Sequence, residues 1–324
     1  MSSERFRFVT RNCCPACGDE RIERLYECGF AAEPLASYLC EYYKIDPSIL
    51  ADGAYVIAQC RGCRSYFQAE VGDEALLRTL YCEWIPDPAA GEYALTTRDM
   101  ESPARSRDGH ELMVAAAFLG MRLEDMRTFD YGMGFAGWAP IARKLGCQSF
   151  GTDLSPSAVE AARCRGVEIV SGDRIPEGWF HFINTEQVLE HVPQPRELVG
   201  KLARALVPGG VLKISVPAPH GLKSLVSRLK AGASQLRQEE IVPLQPLEHV
   251  NCFTQRSIDR LGRDFGLARV RPTLRQSYAF LSVRGALGLD RIGWTIKELV
   301  RPWYQYHNPR NLYAWLRKPA AADG

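Results

Sequence analysis

Two groups of residues in this 324-residue chain have types and spacings that could do chemistry. The first is Asp130-Tyr131-Gly132-Met133-Gly134-Phe135-Ala136-Gly137. Glycines let backbone amides approach a ligand closely, and a helix opening behind them offers its positive end. Asp153 follows twenty-one residues after Gly132, where a carboxylate could accept both hydroxyls of a ribose. It could equally be a helix cap, since Ser155 and Pro156 come next. Gly132, Gly134 and Gly137 satisfy G-x-G-x-x-G, which implies an adenosine-type cofactor and leaves a nicotinamide reading open. The second group is Cys14-Pro15-Ala16-Cys17 and Cys60-Arg61-Gly62-Cys63, with forty-two residues between the pairs. Four thiolates from two such knuckles make a tetrahedral, coordinatively closed zinc site, which is structural rather than catalytic. The alternative for these residues is buried or redox thiols. Cys13 lacks the x-x spacing that Cys14 has.

The elements that must position these residues can be followed along the chain. Arg127–Tyr131 is predicted as a strand running into the glycines, and Trp138, Ile141, Ala142 and Leu145 make one face of a helix that Gly146 can end. Residues 149–152 form the next strand, and Ser155-Pro156 starts a helix running to about Cys164. Strands follow at 167–170 and 180–183, then a helical stripe of Val199, Leu202, Ala203 and Leu206. Pro208-Gly209-Gly210 turns the chain into a strand at 211–216. Strands alternating with crossover helices predict a doubly wound α/β domain, whose ligands sit at the carboxyl ends of the strands. Seven of the eleven cysteines lie in residues 13–63, and Trp84 to Gly91 is turn-rich. The expected organisation is a zinc-knuckle domain over 1–83, a linker and leading helix over 84–125, the α/β domain over 126–284, and a tail over 285–324. Residues 218–253 read as an insertion at the carboxyl edge of the sheet, a lid or substrate wall.

Composition narrows the function. With 46% hydrophobic and 24% charged residues the chain can bury a core, which rules out wholesale disorder. Forty Lys+Arg against 38 Asp+Glu is a formal charge of +2, far from the basic excess of a protein that lives on phosphate backbones. The longest apolar stretch, near Leu112 to Met121, is about ten residues and too short to span a bilayer. Met1 to Asn12 shows no apolar run, so no signal peptide is expected. Thiols with these spacings and no secretion signal predict a cytoplasmic protein holding a metal rather than disulfides.

Three further features single out one family. Asp130 stands two positions before the first glycine, where it could face a cationic ammonium. Asp173, in Ser171-Gly172-Asp173, follows the third strand. The fourth strand leads into Glu186-Gln187-Val188-Leu189-Glu190-His191-Val192, and Pro208-Gly209-Gly210 precedes the fifth. Together these resemble the class I, seven-stranded S-adenosylmethionine-dependent methyltransferases over roughly residues 126–284. Ala136 departs from the third glycine usual in that family. The resemblance implies a mostly parallel seven-stranded sheet, with Asp130, Gly132, Gly134 and Ala136 lining the methionyl part of S-adenosylmethionine. It implies that Asp153 holds the ribose, that Asp173 and the Arg174 backbone hold the adenine, and that Gln187 lies beside the sulfonium. Zinc knuckles ahead of such a domain are similar to the sugar C-methyltransferases and their relatives acting on small metabolites. A zinc-bearing ribosomal RNA methyltransferase family is the other likeness, which the charge and the lack of an Asn/Asp-Pro-Pro-aromatic segment disfavour.

For the acceptor, the insertion ends in Leu247-Glu248-His249-Val250-Asn251-Cys252-Phe253-Thr254, similar to a Glu-His-x-x-x-Phe-(Ser/Thr) segment of the same family. A hydroxyl or carbon acceptor must lose a proton, so His249 is the leading candidate base, with His220 and Glu248 behind it. Glu190 and His191 read as structural, closing the site through backbone hydrogen bonds. Leu222, Leu225, Val226 and Leu229 form a helical stripe within the insertion. The tail, with Trp294, Trp303, Tyr304, Tyr306, Tyr313 and Trp315, is expected to pack over the body or against a second copy as a homodimer.

Overall fold

The computed structural model describes residues 6–85, 97–134, 137–283 and 292–320. Among these, the strands in chain order are β1 (Phe8–Thr10), β2 (Ile22–Gly29), β3 (Ala54–Cys60), β4 (Tyr66–Gln68), β5 (Glu70–Gly72), β6 (Arg127–Tyr131), β7 (Gln148–Thr152), β8 (Glu168–Ile169), β9 (Phe180–Glu186), β10 (Leu206–Pro217), β11 (Asn251–Cys252), β12 (Ala268–Val270) and β13 (Asn311–Arg317). Seven of them form one sheet in the order β12-β13-β10-β9-β6-β7-β8. β10, β9, β6, β7 and β8 are parallel, and β13 runs antiparallel to both its neighbours. The crossover helices Trp138–Lys144, Pro156–Cys164 and Pro195–Ala205 stand where the apolar spacing places them, except that Leu206, read into the last helical stripe, opens β10 and pairs with Phe180. Ser155 caps the second by accepting from the Ala158 N–H at 3.3 Å, and Pro156 fills the position whose own N–H needs no partner. Strand order reverses between β6 and β9, and a ligand site is expected at such a switch point.

Two segments sit differently from expectation. Residues 311–317, expected as part of a tail lying over the body, are an interior strand. Leu312 and Leu316 alternate with Tyr313 and Trp315, and helices cover both faces of the sheet, so aromatics that suggest a surface are core. Trp315 is 1% exposed and meets Phe182 edge-on at 5.2 Å, and Phe182 stacks on Trp138. The α/β domain therefore does not end at residue 284. The Pro208-Gly209-Gly210 turn is likewise absorbed into β10 as an irregularity between Leu206 and Val211, with Gly209 at φ +82°.

The amino-terminal residues form a four-stranded sheet of order β11-β4-β3-β2 and a two-stranded β1-β5 pair. β11 comes from the end of the 218–253 insertion, so that insertion is not a free-standing lid. Its helix Leu222–Lys230 buries Leu222, Leu225, Val226 and Leu229 in one cluster with Phe30, Leu35, Leu39 and Ile57 of the amino-terminal module. Arg11 fastens the two together, donating to the Gln68 carbonyl at 2.9 Å and to Asn251 Oδ1 at 2.8 Å. No helix among the described residues is long and apolar enough to cross a membrane.

Candidate functional site

The glycine loop leaves the tip of β6. Gly132 and Gly134 adopt φ of +71° and +53°, a region where a side chain is strained. A Cβ on Gly132 would also stand 2.6 Å from Val188 Cγ2, so only glycine fits there. The loop folds against the next strand through Gly132 N–H to Thr152 O, 2.9 Å, and through Gly134 N–H to Asp153 Oδ2, 2.7 Å. The other Asp153 oxygen accepts from the Ser155 N–H at 2.8 Å, so this aspartate orients the residue that caps the helix and laces the loop, while the cap itself is Ser155. Asp130 is buried at the end of β6 and accepts from Asn184 Nδ2 at 2.7 Å. Burial pushes its pKa up to about 7 against the pull of Asn184 and Lys213. Asp130, Asp153 and Asp173 stand at or just beyond the carboxyl ends of the neighbouring strands β6, β7 and β8. Ala136 lies outside the described residues.

Asp173 and the Arg174 backbone, expected to hold an adenine, lie in one turn that the Arg174 N–H closes on the Ser171 carbonyl at 2.9 Å. Asp173 accepts from the Ser171 hydroxyl in the same turn and stays exposed, which keeps its pKa below the usual range. Leu154, which sequence reasoning passed over, is 93% exposed directly after Asp153. Gln187 sits past β9 at φ +54°, its N–H donating to the Ser215 carbonyl at 2.8 Å and its amide to Asn311 Oδ1 at 3.1 Å.

Behind the loop is a buried ion network, also absent from sequence reasoning. Lys213 of β10 is 0% exposed and donates to Glu111 at 2.8 Å and Glu186 at 2.7 Å. Burial opposes its charge, but the two carboxylates outweigh that and hold its pKa above the ordinary value. Glu186 also pairs with Arg107, while Trp138 and Tyr313 donate to Glu111 at 2.9 and 2.6 Å. The signal was present: a lysine inside the apolar run Val211-Leu212-Lys213-Ile214 cannot be buried without a carboxylate.

A second polar cluster faces the sheet tips from the insertion side. Glu190 and His191, just past β9, meet His249, and one potential ligand atom from each lies within 4.8 Å of the others. The His191 and His249 rings meet edge-on at 4.6 Å. His249 Nδ1 is tied to the Val242 carbonyl, and His191 Nδ1 stands 3.2 Å from the Glu248 carbonyl and 3.0 Å from the Tyr81 hydroxyl. Burial depresses both imidazoles, His249 to about 4 and His191 to about 3, and pushes Glu190 up to about 8. Asn251 holds the loop in place, donating to the Leu189 and Val192 carbonyls at 2.9 and 2.7 Å. Of the expected proton acceptors, His249 belongs to this cluster. Glu248 turns away to accept from the Tyr43 hydroxyl at 3.2 Å and Gln245 at 2.5 Å. His220 is exposed just after β10 and is not part of the cluster.

The four paired cysteines come together as the spacing requires. Cys14 and Cys63 sulfurs are 3.5 Å apart, Cys17 and Cys60 sulfurs 3.6 Å, and all are free thiols. Four ligands at about 2.3 Å from a tetrahedral zinc would be roughly 3.8 Å apart, close to these separations. The two knuckles share one turn: the Gly18 N–H donates to Cys14 O at 2.8 Å and the Arg64 N–H to Cys60 O at 3.0 Å, both residues at positive φ. The Thr254 hydroxyl donates to the Cys63 carbonyl at 2.9 Å, joining the knuckles to the first turn of the helix Gln255–Asp264.

Comparison with known proteins follows the same lines. The chain is 28% identical over 151 residues to a ubiquinone biosynthesis O-methyltransferase of Xanthomonas oryzae, covering 40% of this chain and 63% of that one. It is 28% identical over 114 residues to a probable tocopherol O-methyltransferase of rice, covering 31% and 32%. The chain thus spans less than two thirds of the length of these curated relatives. Among solved structures, a 1,6-didemethyltoxoflavin N1-methyltransferase of Burkholderia thailandensis with bound S-adenosylhomocysteine is 17% identical, with 76% and 88% of the two chains covered and a TM-score of 0.44. The model of the methyltransferase domain matches residues 105–271, just over half of the chain and every strand of the seven-stranded sheet except β13, so this chain belongs to that methyltransferase family.

Proposed function

We propose that the chain transfers a methyl group from S-adenosylmethionine to an oxygen or carbon of a small-molecule or sugar-like acceptor. The observation that carries the reading is the positive-φ loop Gly132–Gly134 laced to Asp153 beside the buried carboxylate of Asp130. Asp130 answers the cationic methionyl end, Asp153 keeps lone pairs for the ribose hydroxyls beyond its two backbone bonds, and Leu154 with Asp173 borders the adenine. Gln187 stands near the sulfonium. In the transfer the S–CH3 bond breaks as the bond to the acceptor forms, and the donor leaves as neutral S-adenosylhomocysteine. The chain's part is alignment and exclusion of water, which supplies most of the acceleration through effective concentration. The acceptor's lost proton leaves toward the wall made by Glu190, His191, Tyr81 and His249. Relatives named for ubiquinone and tocopherol O-methylation support a small-molecule oxygen acceptor, and the formal charge of +2 gives no support to RNA. Zinc on Cys14, Cys17, Cys60 and Cys63 fits the sulfur separations and would hold the amino-terminal module together.

Calorimetry with S-adenosylhomocysteine and NADH tests the donor. Binding of the first and not the second is expected, and the reverse overturns the reading. Labelled methyl donor supplied with purified protein and a cell extract should mark a small molecule. Label in bulk RNA would replace the acceptor class, and donor binding with no labelled product would make the chain a scaffold.

A further inference from the structure

Glu190 is 1% exposed, and neither of its carboxylate oxygens has a hydrogen-bond partner among the described residues. A buried carboxylate left this way is costly, and such a group calls for a cation or a donor. Among the described residues no side chain donates to it. His249 Nδ1 is committed to the Val242 carbonyl, which leaves its Nε2 a bare lone pair, and His191 Nδ1 lies between the Glu248 carbonyl and the Tyr81 hydroxyl, so a proton placed on it toward the carbonyl frees that Nε2 likewise. A backbone carbonyl on one ring nitrogen is the arrangement that orients a histidine for metal through the other. One carboxylate and two imidazoles with ligand atoms inside 4.8 Å match the reach of a single ion.

We infer that Glu190, His191 and His249 bind a divalent first-row transition ion such as zinc or iron(II), separate from the cysteine site. Two nitrogens and a carboxylate suit such ions, and three protein ligands leave positions open for an oxygen of the acceptor. That last step rests on the methyl-transfer reading; the ion site does not. Cys252 is buried behind Glu190, but its own place in β11 keeps it in the sheet rather than among the ligands.

Cobalt(II) chloride titrated into the full chain, purified with its thiols already metallated, tests the inference. The expected result is one further equivalent of cobalt with visible ligand-field bands and no thiolate-to-metal charge-transfer band. Glu190→Gln and His249→Ala should each weaken it by more than the roughly 10–100-fold that outer-shell partners command. S-adenosylhomocysteine affinity in both variants should stay within about twofold of the parent, which shows that they fold. Absence of the extra equivalent in the parent chain overturns the inference. So does cobalt held as tightly by Glu190→Gln, which would make Glu190 a neutral carboxylic acid. Cobalt binding without S-adenosylhomocysteine binding would leave the ion site standing and remove the methyl-transfer reading.

Discussion

The glycine-loop edge and the histidine wall face the same strand tips and are built in opposite ways. The edge uses residues 130–174, and its parts are fixed by short bonds that backbone N–H groups donate among themselves: Gly132 to the Thr152 carbonyl, Gly134 to the Asp153 carboxylate, Arg174 to the Ser171 carbonyl. The wall draws Tyr81, Glu190 with His191, and His249 from three separate stretches. The Tyr81–His191 bond spans 110 residues and the His191–Glu248 bond 57. A site made by turn chemistry persists wherever its strands form. A site made by tertiary packing lasts only as long as every layer behind it, and here those layers include the amino-terminal module.

The sharpest way to break that contrast is at the cysteines. Cys60→Ser removes one thiolate from the cluster and, on the zinc reading, much of a binding energy on the order of 10 kcal/mol that folding of the module depends on. Zinc content should fall, and amide exchange should become fast across β2–β4 and β11. Because Asn251 and Arg11 then lose their footing, the wall should open with them. Exchange at β6–β9 should slow no less than before, and S-adenosylhomocysteine should bind within about tenfold of the parent. Equal loss of protection in β6–β9 would show that the two regions are one cooperative unit.

The same contrast governs what could be read from residues alone. The strand at 127–131, the helix cap at Ser155 and the Cys-x-x-Cys pairs are local patterns, and each stands where its spacing puts it. Asp153 was readable both as a cap and as a binding carboxylate, and the cap proves to be Ser155, with Asp153 bonded to the Ser155 N–H and to the glycine loop. The wall was half legible. His249 stood out by its motif, and His191 was expected to bond backbone, as it does at Glu248. Nothing near Tyr81 announces that it will meet a histidine 110 residues on. β13 misled for a related reason: Tyr313 and Trp315 among basic residues look like a surface, and only the gap between β10 and β12 makes them core.

Gly132→Ala strikes the edge at a place where it meets the wall's loop. The substitution pays left-handed strain of roughly 1–2 kcal/mol, and its Cβ, 2.6 Å from Val188 Cγ2, presses on the loop that carries Glu190. A lower melting temperature and a fall of about 10–100-fold in S-adenosylhomocysteine affinity are expected, with zinc content unchanged. Adding Val188→Ala separates the causes. It should relieve the clash and recover part of the stability, but leave the φ strain and most of the lost affinity. Full recovery would mean that packing against the wall, and not turn geometry, sets the edge.

The smallest effect is the most specific to the edge. Asp130 titrates near 7 in the folded chain against an ordinary value of 3.8, with burial as the main cause and with Asn184, Lys213, Asp108 and Glu186 around it. Between those two values the folded state holds a proton that the unfolded state has released, so this group's contribution to stability declines as pH rises through that window and is lowest above 7. Donor binding runs the other way, because a cationic ammonium favours the ionised carboxylate. S-adenosylhomocysteine affinity should therefore climb roughly tenfold from pH 6 to pH 8, following the ionised fraction of a group with pKa 7. Asp130→Asn cannot ionise and should flatten the profile at the low-affinity level. A variant that keeps the parent's slope would assign the proton elsewhere and reduce Asp130 to a partner of Asn184, leaving backbone geometry alone to select the donor.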